Sequence, residues 1–88
     1  MPARIVRFET TPNPNALKCV ADRTLSEKAR SYARAPETGT DALAEALFAL
    51  EGVTNVLILH DWLTVNRAAG ADWKSIKAGV KKAVKAHG

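Results

Sequence analysis

The sequence predicts an α+β domain, one antiparallel sheet with two helices packed on the same face. Three observations carry that prediction. Apolar residues alternate at a period of two near the N-terminus and again through residues 53–65, an i, i+3, i+4, i+7 apolar pattern occupies residues 43–50, and an amphipathic lysine-rich stretch closes the chain. The order that results is strand, strand, a third and less marked strand, helix, strand, strand, helix.

In Arg4–Glu9, Val6 and Phe8 fall to one side, while Arg7 and Glu9 fall to the other with Ile5. Leu17 and Cys19 share one face of a second strand, with Lys18 opposite. The two strands make a hairpin with a longer loop, TTPNPN. Within it Pro14 suits the second position of a type I turn over Asn13-Pro14-Asn15-Ala16. The ring of Pro14 pushes Asn13 toward an extended backbone, as Pro12 does to Thr11. Asn13 and Asn15 are suited to bonding nearby backbone groups. Residues 24–34 carry two patterns. Leu25, Ala29 and Tyr32 suit a helix, whereas the alternation from Ala29 to Arg34 suits an edge strand, and the strand over 29–34 is the reading adopted.

Asp41 follows turn chemistry in APETGTD and is placed to cap a helix on which Leu43, Ala46, Leu47 and Leu50 form one stripe. Gly52 is suited to the left-handed conformation that ends it. Val53–Leu59 and the alternating Leu63 and Val65 form a tight hairpin turning at His60-Asp61. Asp72 caps the last helix, in which Trp73, Ile76, Val80, Ala83, Val84 and His87 line one stripe. Lys74, Lys77, Lys81, Lys82 and Lys85 occupy its other faces.

At 88 residues and 47% apolar content, the chain has the size of one domain. The run Val56–Leu59 falls far short of the roughly 20 residues that cross a bilayer, and the N-terminus does not read as a signal peptide. A single cysteine excludes an internal disulfide and any CxxC motif in this sequence, which favours a reducing, cytoplasmic setting. Charge is uneven: residues 1–35 and 72–88 each carry a net +4, and residues 36–71 a net −4. That distribution favours an acidic partner.

Candidates for chemistry are few. Lys18 beside Cys19 would lower a thiol pKa, but strand alternation sends the two side chains to opposite faces, so Cys19 reads as core. His60 sits at a hairpin tip and His87 in a last helical turn, neither with a companion at metal-ligand spacing. Ser26, Ser31 and Ser75 have no recognisable His/Asp arrangement. Gly39, Gly52, Gly70 and Gly79 are isolated, so no phosphate cradle is present. The lysine face of the last helix with Trp62 offers a nucleic-acid reading, although it lacks a concentrated basic patch with interleaved aromatics.

Taken together, ETTPNPNALKC, DALAEALFALEGVTNV, HDWLTV and the DW that opens the last helix resemble the N-terminal domain of Nfu/NifU-type iron–sulfur scaffold proteins. The matching positions are Thr11, Pro12, Asn13, Pro14, Asn15, Leu17, Lys18, Leu43, Ala44, Leu47, Phe48, Glu51, Gly52, Val53, Asp61, Thr64, Val65 and Trp73. The resemblance implies the same α+β domain, a strand at 29–34, and a link to iron–sulfur cluster assembly. In the family the cluster sits on a CxxC motif in a separate C-terminal domain. The expectation is therefore a stand-alone, non-enzymatic module that binds no cofactor itself, meeting an iron–sulfur cluster only through a protein partner. Asn13, Pro14, Asn15, Asp61 and Trp62 are the candidate partner-binding residues. The alternatives are nucleic-acid binding through the lysine-rich helix, and iron or cluster binding by Cys19 together with a second molecule.

Overall fold

In the computed structural model, which describes residues 3–88, the elements follow in the order β1 (Ile5–Thr10), β2 (Ala16–Ala21), β3 (Ser26–Tyr32), α1 (Ala42–Phe48), β4 (Val53–His60), β5 (Trp62–Arg67) and α2 (Trp73–His87). The strands form one antiparallel sheet in the order β1-β2-β5-β4-β3. The two sequence-local hairpins, β1-β2 and β4-β5, are thus joined at the centre by β2 and β5. β1 and β3 are left as edges.

Register decides which residues share a face. Leu17 lies opposite Val65 and Cys19 opposite Leu63, while Val56 and Ile58 lie opposite the same two β5 residues from the other side. All six are buried and form one core with Leu43, Ala44 and Leu47 of α1 and Ile76, Val80 and Val84 of α2. Both helices therefore lie on one face. The alternate positions, Lys18, Val20, Leu57, Leu59, Trp62 and Thr64, form the other face, which no helix covers.

The helix caps follow the sequence. Asp41 accepts a hydrogen bond from the Ala44 N–H at 3.1 Å, and Asp72 accepts one from the Lys74 N–H at 3.1 Å. Asp41 does more than cap. Its other oxygen accepts from Arg30 Nη1 at 2.7 Å and from the Tyr32 hydroxyl at 2.8 Å, fastening edge strand β3 to α1.

Four expectations need correction. A bulge between Ile5 and Arg7 breaks the alternation of β1, so Ile5 packs with Phe8 on the core and Val6 is 52% exposed. The third strand spans Ser26–Tyr32 rather than 29–34. Pairing starts beside the β4-β5 turn, where Ser26 faces His60 and the Leu25 N–H donates to the His60 carbonyl at 2.6 Å. The first helix stops at Phe48, with Ala44 buried in its stripe and Ala46 and Leu50 only partly so. Gly52, at φ +91°, then turns the chain into β4, and a Cβ there would sit 2.5 Å from the Cβ of Ala71. His87 lies in the last turn of α2 and is exposed rather than part of the stripe.

Candidate functional site

The TTPNPN loop closes on itself and on the rest of the fold. The Ala16 N–H donates to the Asn13 carbonyl at 3.0 Å, which is the turn hydrogen bond anticipated from Pro14. Asn13 Oδ1 accepts from the Asn15 N–H at 2.9 Å, and the single hydrogen of the Thr11 hydroxyl is shared between the carbonyls of Asn13 and Ala16, 2.9 and 3.0 Å away. Long-range contacts then fix the loop in place. Arg67 Nε donates to Asn15 Oδ1 at 3.3 Å and Nη1 to the Ala71 carbonyl at 2.9 Å, while the guanidinium lies 4.8 Å from the centroid of Trp73. Trp73 Nε1 in turn donates to the Pro14 carbonyl at 3.4 Å. The side chain of Asn15 is therefore engaged in bracing, and Asn13 and Pro14 form the exposed tip.

Arg67 and Trp73 are the residues that sequence reasoning missed as partners of this loop. In the sequence Trp73 reads as a helix-stripe residue and a family-matching position, and Arg67 carries no signal. Replacing Arg67 by Met keeps the aliphatic stem but removes both hydrogen bonds and the cation–π contact. A loss of about 1–2 kcal/mol in urea unfolding is expected, and unchanged stability would show that the loop does not depend on this clamp.

Asp61 and Trp62 lie at the opposite end of the sheet. In the β2-β5 pairing Ala16, next to the loop, faces Asn66, whereas Val20, at the far end of β2, faces Trp62. The five candidate residues therefore form two groups separated by the length of β2. Asp61 is in the tight turn between the paired Leu59 and Trp62, where His60 takes φ +53°. Trp62 belongs to the uncovered face, with Lys18 Nζ 5.0 Å from its ring centroid. Val20 and Leu59 flank it in register across three strands. Lys18 is also near Glu9, which takes a 2.6 Å contact from Arg7 Nε. The Arg7 hydrogen bond holds the Glu9 carboxyl below its ordinary range.

α2 and its lysines lie on the other side of the sheet from Trp62. Lys77 and Lys81 instead stand over Phe8, at 5.5 and 5.7 Å from its ring centroid. The lysine-rich helix and Trp62 consequently do not form one surface.

Cys19 is fully buried. Burial pushes its thiol up to about 12, outweighing the opposing pull of the Lys77 charge. Iodoacetamide at neutral pH should therefore leave the native protein unmodified and label Cys19 once urea unfolds it, as read by intact mass. Fast labelling of the native chain would contradict this. The residues present do not fit an iron–sulfur cluster. The lone thiol is enclosed, and among the described residues no group of three His, Cys, Asp or Glu side chains is placed to hold a metal ion. Nor is any helix among them long and apolar enough to cross a membrane.

The sequence matches the family described as scaffold protein Nfu/NifU, N terminal, over residues 6–88. The chain belongs to that family. Among relatives of this Nfu/NifU N-terminal domain, the NifU-like protein C1709.19c of Schizosaccharomyces pombe is 31% identical over 85 residues, covering 93% of this chain and 33% of that protein. Conserved virulence factor C of Staphylococcus aureus (strain MRSA252) is 30% identical over 79 residues, covering 90% of this chain and 21% of that protein. The chain thus spans a third or less of the length of these two relatives. The solution structure of a NifU-like protein from Saccharomyces cerevisiae superposes with a TM-score of 0.78 at 28% identity, over 94% of this chain and 77% of that one. The crystal structure of protein SAV1430 from Staphylococcus aureus has the same fold, with a TM-score of 0.75 at 20% identity over 91% of this chain and 96% of that one.

Proposed function

We propose that this Nfu/NifU N-terminal domain is a non-catalytic, cytoplasmic protein-interaction module. It serves iron–sulfur cluster assembly as an accessory, without holding a cluster itself. The observation that carries the reading is family membership over residues 6–88, joined to a sheet face that the fold leaves uncovered. On that face Trp62 is a large, amphipathic anchor of the kind enriched where proteins meet, with the partly exposed Leu59 on one side and the buried Val20 packed against it on the other. Asp61 stands at the rim of this face. Asn13, Pro14 and Asn15 form a second candidate contact at the far end of the sheet, held in shape by Arg67 and Trp73.

Affinity capture from the native cell, with the intact chain and with Trp62→Ser as paired baits, tests this reading. Circular dichroism confirms that both are folded. Iron–sulfur assembly proteins should be recovered with the intact chain and reduced at least about tenfold with the variant, as expected for a central aromatic anchor. Repeated recovery of no such protein with the intact chain would reject the pathway, and equal recovery by both baits would reject Trp62 as the anchor.

A further inference from the structure

Edge strand β1 and the adjoining flank of α2 make a second surface, on the helix side of the sheet and away from Trp62, with only Arg7 and Glu9 of the strand on the Trp62 face. β1 has a neighbour, β2, on one side only. After the bulge, Arg7 to Thr10 pair regularly with Val20 to Leu17. The opposite side of that stretch carries backbone groups with no strand beside them, a template for another extended segment. Phe8 is half-buried there on the helix side, overhung by Lys77 and Lys81. Arg7 projects on the other face of the same strand.

Charge selects the occupant. None of the α2 lysines takes part in an ion pair among the described residues, and Glu9 is the one β1 carboxylate, already shared by Arg7 and Lys18. The edge is thus cationic on its helix face, whereas on the other face Arg7 and Glu9 neutralise one another. A second copy docking edge to edge through β1 would bring Lys77 and Lys81 against their own equivalents. A polynucleotide would satisfy the lysines but leave the strand edge and Phe8 unused. An extended polypeptide with acidic residues satisfies all three features. Its backbone continues the sheet, and alternate side chains on the helix face meet Phe8 and the two lysines.

We infer that the β1 edge is a docking strand for an extended acidic peptide segment of a partner protein, which pairs along Arg7–Thr10 with its acidic side chains on the helix face against Lys77 and Lys81. The inference stands whether or not the Trp62 face docks to iron–sulfur machinery.

Titration of the isotope-labelled chain at low salt with a capped octapeptide of alternating valine and glutamate provides the test. Amide shifts and slowed hydrogen exchange should concentrate on Arg7–Thr10. The double variant Lys77→Glu, Lys81→Glu should weaken binding at least about tenfold, and Lys77→Arg, Lys81→Arg should restore it. The same peptide N-methylated at every residue should fail to bind, because it then has no amide N–H to donate along either edge. Four results would overturn the inference: shifts centred on Trp62, equal binding of the N-methylated peptide, binding of a single-stranded oligonucleotide but not the peptide, or sedimentation of the free chain as a dimer that buries β1.

Discussion

Asp41→Ala should be the most damaging single side-chain change outside the apolar core, lowering unfolding free energy by about 3–4 kcal/mol. The carboxylate is only 6% exposed and serves three donors at once, the Ala44 N–H, Arg30 Nη1 and the Tyr32 hydroxyl. Truncation removes the cap of α1 and leaves a half-buried guanidinium, whose Nε already lacks a partner, without its counter-charge. Asp41→Asn retains a capping oxygen and should cost clearly less. Urea unfolding of the two variants measures the difference, and an Asp41→Asn variant as stable as the native chain would mean that the charge contributes nothing.

The same cluster sets a pH dependence. Burial opposes ionisation of Asp41, but the Ala44 amide, the Tyr32 hydroxyl and the Arg30 charge outweigh it and hold the carboxyl below its ordinary 3.8. For Tyr32 the hydrogen bond to Asp41, followed by burial, lifts the phenol above its ordinary 10.0. A lowered acid stabilises the fold above its unfolded pKa, and that contribution is lost as pH falls through the folded value. A raised phenol stabilises below its unfolded pKa and is lost as pH rises through the folded value. The contribution of this cluster should therefore be level between these limits and fall beyond each. Tyr32→Phe should shrink the alkaline limb to the part due to the buried Cys19 thiol and should also soften the acid limb, because Asp41 loses one of its donors. An alkaline limb unchanged in that variant would refute the assignment.

Leu47→Ala should have a comparable effect, about 3 kcal/mol, through a different mechanism. Leu47 is fully buried in the last turn of α1, a helix of only seven residues. Its loss opens a cavity between sheet and helices that so short an element is poorly able to close. Domains of this size have roughly 5–10 kcal/mol in total, so the urea midpoint should drop markedly with its slope unchanged. The matched control is Val6→Ala, which truncates an exposed residue and should change stability by less than about 0.5 kcal/mol. Equal losses in the two would show that burial is not what Leu47 contributes.

The elements legible in the sequence were those in which side-chain pattern and backbone geometry agree. Leu43 with Leu47, Leu63 with Val65, and the caps Asp41 and Asp72 lie where periodicity and hydrogen-bonding chemistry put them. β3 was less legible because the positions it turns toward the helices are Arg30 and Tyr32, which hydrophobic alternation does not register. Their burial is made favourable by a carboxylate eleven and nine residues away. β1 misled at Val6 because a bulge changes which face a residue takes without leaving a mark in composition.

The candidate site divides in the same way. The local turn in TTPNPN follows from proline and asparagine stereochemistry alone, and the sequence by itself determined it, together with the fold class and the family. Only the tertiary structure decided what surrounds that turn. It tied Asn15 to Arg67 and Pro14 to Trp73, moved Trp62 to the far end of the sheet, and put the lysines of α2 over Phe8 instead of beside Trp62. The physical reason is that hydrogen bonds and periodicity within one element act over a few residues, whereas the pairing of β2 with β5 brings together segments more than forty residues apart. That pairing fixes which side chains share a face.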